Sequence, residues 1–339
     1  MIPFYEDGRV IPTKSFELRS TNETALHYDM DITFRITEAC DLKCKYCMYW
    51  HHGKHYSREN ILGSIDKLFE FFVASEMTSV LFYYHGGEPT KHPNILEILQ
   101  YIKDKSKETG VQSYTELNTN FTLDTSKLET LLPYIDRLNI SFHYNELIER
   151  EYKLANFYKN YELIVDKGLL IHNLDIMLDT VRADRLSDFY ERIEEFITYK
   201  NIMHTEMIYG FWHYGEESNR KSKEQHLEFH DLHNKDDQQF VIDNISYNTS
   251  ELFIEGVNCQ GWQCDAGRTF MYVNGDGSVF SCGGHMTRFI RPEVAEESNT
   301  NLMTDENAVK KLLILRRIGT KCRWKYCGGD YPRDRVPPK

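Results

Sequence analysis

Up to about residue 210 the chain alternates short apolar runs with longer stretches of helical period. At 31–36 (DITFRI) β-branched and aromatic residues predict a strand. At 57–74 the spacing of Ile61, Ile65, Leu68 and Phe72 predicts a helix with one apolar face, capped by Ser57 or Asn60. The runs at 78–84 (TSVLFYY) and 111–117, separated by a helical period over 93–107, are too apolar for half-wet strands and predict strands covered on both faces. The alternation continues with a helix at 125–136, a strand at 137–142, a helix at 147–168, a strand at 170–179, a helix at 185–199 and a strand at 203–209. Repeated strand-helix units of this kind predict a largely parallel sheet with helices outside, either an open barrel or a doubly wound sheet.

Beyond residue 210 the pattern changes. The stretch 215–237 is dense in charge and predicts a solvated helix or insertion. From about 255, turn signals at Gly261, Gly267 and Asn274-Gly275-Asp276-Gly277 separate aromatic runs at 269–273 and 278–280, which predicts a hairpin turning at Asn274-Gly275. A last helix is expected over 307–318. Four segments follow: an extension at 1–30, a core at 31–210, a charged linker at 211–254 and a C-terminal module at 255–339.

Forty basic and fifty-two acidic residues give a formal charge of -12, which repels a phosphate backbone and disfavours nucleic acid as a partner. No run is long and apolar enough to span a membrane, and the first residues have neither the basic nor the apolar segment of a secretory signal, so a cytoplasmic location is expected. The eight cysteines fall into two groups, Cys40, Cys44 and Cys47, then Cys259, Cys264, Cys282, Cys322 and Cys327, which predicts two separate thiolate sites.

The first group directly follows the first predicted strand, where the carboxyl ends of parallel strands build sites. Three thiolates this close together suit a cubane cluster with one iron left open. The same residues, with His51, His52 or His55, also suit a Cys/His zinc site, and buried structural cysteines are a third reading. Gly86-Gly87-Glu88-Pro89 follows the second strand; its glycines let backbone approach a ligand and Glu88 offers a carboxylate, although the same residues also suit a plain tight turn.

Cys40-x3-Cys44-x2-Cys47, with Tyr46 before the last cysteine, resembles the signature of the radical S-adenosylmethionine (SAM) superfamily, and Gly86-Gly87-Glu88-Pro89 matches that family's glycine-rich segment in strand context and order. The resemblance implies an α/β fold, a partial (β/α)6 TIM-like barrel, with an open [4Fe-4S] cluster on the three cysteines and SAM bound at Gly86, Gly87, Glu88 and Pro89. By the same resemblance Asn118, Ser141 and Arg182 belong to the SAM rim. Cys264, then twelve residues, Gly277 and Cys282 look like the opening of a SPASM or Twitch module. With Cys322 and Cys327 they would hold one auxiliary [4Fe-4S] cluster in a module of β-hairpin and helix. Cys259 is an alternative ligand or a surplus thiol, and four thiolates equally satisfy a structural zinc.

The implied activity is reductive SAM cleavage followed by hydrogen abstraction, with a flavodoxin or ferredoxin as reductant. The second substrate is expected to be a peptide or protein side chain, or a small molecule such as a sugar or aminocyclitol. A non-enzymatic iron-sulfur or zinc sensing protein is the alternative outside catalysis. About 30 residues precede the first strand, fewer than a leader-binding winged module requires, which counts against peptide maturation. Tyr209, Trp212, His213 and Tyr214 are candidates for a substrate mouth, and His204 and Glu206 for inward-facing positions.

Overall fold

The structure, a computed structural model, describes residues 28–44, 53–178, 202–209, 240–242, 245–247, 261, 263–264, 266–282, 299–321 and 335–336. The expectations for the helix at 185–199, the charged stretch 215–237, Arg182, Trp212, His213, Tyr214, Cys47, Cys259, Cys322 and Cys327 lie outside those residues.

The elements run β1 (Met30–Arg35), α1 (Arg58–Ala74), β2 (Ser79–Tyr84), α2 (Ile95–Thr109), β3 (Gln112–Thr119), α3 (Thr125–Leu131), β4 (Arg137–His143), α4 (Tyr144–Leu147), α5 (Glu151–Asp166), β5 (Ile171–Leu178) and β6 (Ile202–Tyr209). Then follow the pair β7 (Phe240–Ile242) and β8 (Ile245–Tyr247), β9 (Gln263–Cys264), β10 (Phe270–Asn274), β11 (Ser278–Phe280), β12 (Thr300–Asn301), α6 (Ala308–Ile318), β13 (Thr320–Lys321) and β14 (Arg335–Val336). Ser57 caps α1, its hydroxyl accepting from the Asn60 N–H at 3.2 Å. The helix expected over 125–136 ends at Leu131, because Pro133 forces the chain into a 3-10 turn at Leu132–Tyr134.

Strands β1 to β6 lie side by side in sequence order, each parallel to the next, in a mixed α/β sheet of barrel-like strand order. The sheet does not stop at β1. Strand β10 pairs parallel with its other edge, Asp31 opposite Phe270 and Arg35 opposite Asn274, and β11 and β12 extend the sheet antiparallel. Asn274 is thereby the last strand residue, and the hairpin turns through Gly275, Asp276 and Gly277, the last at φ +86°. A pairing partner on β1 holds Asn274 extended, which is why the turn begins one residue later than the Asn-Gly signal suggests.

Alternation along the strands decides what each face carries. Phe34, Phe82 and Tyr84 point outward and pack with Phe69 and Phe72 of α1, with ring centroids 5.4 to 6.3 Å apart. All five are nearly or fully buried, so the sheet and α1 meet through an aromatic layer. The opposite face is polar: Asn139 donates to Tyr83 Oη at 3.1 Å, and Ser141 donates to Asn118 Oδ1 at 3.1 Å. In register, Asp175 of β5 stands beside Ser141, and position 206 of β6 beside Asp175. No described helix is long and apolar enough to cross a membrane.

Candidate functional site

Two loops meet at the carboxyl ends of β1 and β2. The Gly87 N–H donates to Thr37 O at 3.0 Å and the Glu88 N–H to Ala39 O at 2.7 Å, so the glycine loop runs bonded along the residues that lead into Cys40. Only glycine fits here. A Cβ on Gly87 would lie 2.3 Å from Ala39 O, and one on Gly86, at φ +134°, 2.6 Å from Thr37 O. The close approach that glycines permit is therefore made first to the cysteine loop itself.

Glu88 is 2 % exposed, and protein donors engage both its oxygens. Oε1 accepts from Thr90 N (3.1 Å), Thr90 Oγ1 (2.7 Å) and Thr119 Oγ1 (2.9 Å), and Oε2 from Asn120 N (2.7 Å). Burial and the nearby Asp41 raise its pKa above the ordinary value, and the donors from Thr90, Asn120 and Thr119 offset this only in part. The carboxylate thus ties the end of β3 to the loop after β2. Pro89 opens a 3-10 turn, Pro89–Lys91, immediately behind it.

Of the cysteines that follow β1, Cys40 is partly buried and Cys44 buried. Cys40 Sγ accepts from Leu42 N at 3.4 Å and lies 3.9 Å from Asn120 Nδ2. Cys44 Sγ is 3.4 Å from Nδ1 of His143, at the end of β4. Burial lowers the His143 pKa to about 4, against a smaller opposing effect of Asp41. Of the rim residues, Asn118 and Ser141 are brought together by their hydrogen bond across β3 and β4.

Asp41, inside the cysteine run, is the site residue that motif reading missed. Burial would raise its pKa, but hydrogen bonds from Lys153 and Asn120 and the charges of Lys91 and Lys153 hold it down at about 2. Phe121 adopts φ +61°, a left-handed conformation rare for a bulky residue, and so turns the flanking Asn120 and Thr122 toward Asp41. One signal was present in the sequence: Lys153 falls on the otherwise apolar and carboxamide face of α5 with Phe157, Asn160, Tyr161 and Ile164. A charged residue on a buried face requires a partner.

Around the hairpin, Ala266, Phe270, Tyr272 and Phe280 form a small buried cluster, and Cys264 and Cys282 both pack against it. Strand β9, which ends in Cys264, is flanked by β13 and β14, with Thr320 and Arg335 both opposite Cys264.

Residues 34–193 match the family model of the Radical SAM superfamily. A curated relative, the S-adenosylmethionine-dependent nucleotide dehydratase of Pseudoalteromonas ulvae, is 27% identical over 128 residues, covering 34% of this chain and 40% of its own. The chain thus spans about two fifths of the length of that relative. Among solved structures, native anSMEcpe with bound AdoMet superposes with a TM-score of 0.54 at 17% identity, over 84% of this chain and 80% of that one. The same protein with bound AdoMet and Cp18Cys peptide gives 0.52 at 16% identity over the same shares. These structures share the fold. Residues 34–193 carry a radical SAM catalytic domain, and β1 to β5 with both loops fall within it, β1 from Phe34 onward.

Proposed function

We propose, from the radical SAM domain at residues 34–193, that this chain cleaves SAM reductively and abstracts hydrogen from a peptide or protein side chain that is then oxidised or crosslinked. The observation that carries the reading is the bonding of the glycine loop along the approach to Cys40, which joins both family segments in one rigid unit at the strand ends. The residues fit the group the family uses. Cys40 and Cys44 are sulfur donors on one short loop, Cys40 Sγ already accepts an N–H, and thiolates of an iron-sulfur cluster are tuned by such bonds.

On this reading Cys40, Cys44 and Cys47 hold a [4Fe-4S] cluster with one open iron, and Gly86, Gly87, Glu88, Pro89, Asn118, Ser141 and Arg182 line the SAM site. When bound there, the cluster and SAM would supply one-electron reductive cleavage and hydrogen abstraction, with a flavodoxin or ferredoxin as the electron source. The chain's own groups orient and enclose. Buried Glu88 fixes the loop that faces SAM, and the polar face bearing Tyr83, Asn139, Ser141 and Asp175 supplies hydrogen-bonding groups for a second substrate.

Cys264, Cys282, Cys322 and Cys327 are assigned to an auxiliary [4Fe-4S] cluster. Two observations support this: Cys264 and Cys282 share one apolar cluster, and the sequence joining β13 to β14 contains Cys322 and Cys327 while both its ends border Cys264. The peptide assignment is supported by the shared fold of anSMEcpe, which was solved with AdoMet and peptide. A second reading, a nucleotide substrate, is favoured by the 27% identity to a nucleotide dehydratase.

The test is 5'-deoxyadenosine formation by anaerobically reconstituted protein given SAM and a strong reductant, with iron and zinc measured in the same sample. Cys44→Ala should abolish the product. Full cleavage by that variant, or bound zinc with no product from the wild type, removes the radical assignment. Stimulation by nucleotides and not by peptides would replace the peptide reading by the nucleotide one.

A further inference from the structure

Asp41 is one residue beyond Cys40, and both its main chain and its side chain are gripped from a distance in sequence. Lys153 Nζ, on α5, donates to the Asp41 carbonyl at 2.9 Å and also contacts carboxylate oxygen Oδ2. Arg150 Nη1 donates to the same carbonyl at 2.8 Å. The carboxylate further accepts from Asn120 Nδ2 (2.9 Å) and Thr122 Oγ1 (3.2 Å), with Lys91 Nζ 3.2 Å from Oδ2. Lys153 is only 3 % exposed.

Stability alone is a weak reason for such an arrangement, since a buried ion pair is often matched by apolar residues of similar volume. What apolar residues cannot do is hold a peptide plane. The Asp41 carbonyl and the Leu42 N–H belong to one planar peptide unit, and in the trans form they point in opposite directions. Two cationic donors on the carbonyl therefore aim the N–H at its other edge, and that N–H is the one bonded to Cys40 Sγ at 3.4 Å. Positive charge on the carbonyl side also polarises the unit and strengthens the N–H as a donor. The carboxylate repeats the device, for Asn120 Nδ2, held at 2.9 Å by Asp41 Oδ1, lies 3.9 Å from the same sulfur.

We infer that Lys153 and Arg150 are positioning residues that act through the Asp41–Leu42 peptide to aim and strengthen a hydrogen bond to Cys40 Sγ. The inference rests on the proposed cluster at Cys40, Cys44 and Cys47. Hydrogen bonds to a ligating sulfur favour the more negative, reduced cluster, so this pair makes the cluster easier to reduce. Neither residue is asked to touch SAM or substrate.

The experiment compares anaerobically reconstituted wild type with Lys153→Met, Lys153→Arg and Arg150→Met. The readouts are iron per chain, the midpoint potential from an EPR-monitored redox titration, SAM cleavage per loaded cluster, and thermal unfolding of the metal-free protein. Lys153→Met is expected to shift the potential negative and to lower cleavage per cluster at a fixed reductant about tenfold, the usual scale of an outer-shell partner. Lys153→Arg should restore most of both. Arg150 is 27 % exposed at its side chain, and its replacement should give a smaller shift of the same sign even if Lys153→Met does not fold. A purely structural role would lower the unfolding temperature and iron content together and leave potential and cleavage per cluster unchanged. That result in either Met variant overturns the inference. Wild type that loads no iron at the first site would instead overturn the cluster reading on which the inference stands.

Discussion

Gly87→Ala tests whether the two strand-end loops are one unit. The new methyl group would sit 2.3 Å from Ala39 O and 2.7 Å from the carbonyl carbons of both Ala39 and Glu38. All three are backbone atoms, so no side chain can swing aside. If the loops part, the bonds Gly87 N to Thr37 O and Glu88 N to Ala39 O are lost, at about 1 kcal/mol each. If they hold, the overpacking itself costs about 1–3 kcal/mol. The two routes together predict a loss of about 1–3 kcal/mol in urea unfolding of the metal-free protein. Because Ala39 precedes Cys40, iron retained at the first site should also fall by about tenfold. Gly63→Ala is the control. Its methyl group would meet only the flexible end of Met303, at 2.7 and 2.9 Å, within helix α1, where alanine is favoured over glycine by about 1 kcal/mol. A loss below about 0.5 kcal/mol for Gly87→Ala, the level of an ordinary surface change, would refute the reasoning.

Glu88 gives a pH signature. Its folded pKa is raised, chiefly by burial, so it adds stability below the unfolded value near 4.3 and that contribution is lost as pH climbs through the folded value. Wild-type unfolding free energy should therefore decline over that window while Glu88→Gln stays flatter; equal slopes would remove Glu88 as the cause. Cys282→Ala should lower total iron by roughly the content of one cluster while cleavage of SAM persists, and unchanged iron would exclude Cys282 as a ligand. Gly275→Ala would drive a methyl group to 2.5 Å from Tyr56 Cβ, the root of a ring whose hydroxyl bridges Arg35 and Glu38. Its cost combined with Gly87→Ala should depart from additivity by about 0.5–3 kcal/mol, since both press on Glu38 and its neighbours, and strict additivity in a double-mutant cycle would deny that contact.

Local chemistry carried most of the core into view from sequence. The β-branched and aromatic runs became β1 to β6 within a few residues of their expected limits, and Ser57 capped α1, because these features depend on neighbours along the chain. The cysteine and glycine segments were visible for the same reason. What stayed hidden depends on distance. Nothing in 269–273 announces that it will pair parallel with β1, on the far edge from β2. Nor does the motif around Cys40 announce that Asp41 will be held by Lys153, 112 residues away. The barrel positions His204 and Glu206 could be assigned in register, beside Asn173 and Asp175, only once β5 and β6 were paired.

That parallel pairing of β10 with β1 gives the molecule its most consequential connection. Strand β1 leads into Cys40, and β10 follows Cys264 and is followed in turn, through β11, by Cys282, so Cys40 on one side and Cys264 and Cys282 on the other flank adjacent strands of one sheet. The contact is more than side-by-side strands. Gly275 N donates to Arg35 O at 2.8 Å, and the hairpin turn presses on Tyr56, which donates to Glu38 at 2.9 Å just before the cysteine loop. Arg35, 1 % exposed, donates to the same Tyr56 hydroxyl at 3.1 Å and lies 3.3 Å from Glu38. A hairpin on a flexible linker would leave the distance from Cys40 to Cys264 and Cys282 free to vary. Here a displacement of the hairpin must strain backbone hydrogen bonds of the strand that feeds Cys40, and protein interiors packed at this density transmit such strain instead of absorbing it. The spacing of Cys40 from Cys264 and Cys282 is therefore tied to the sheet, through the register Arg35 to Asn274.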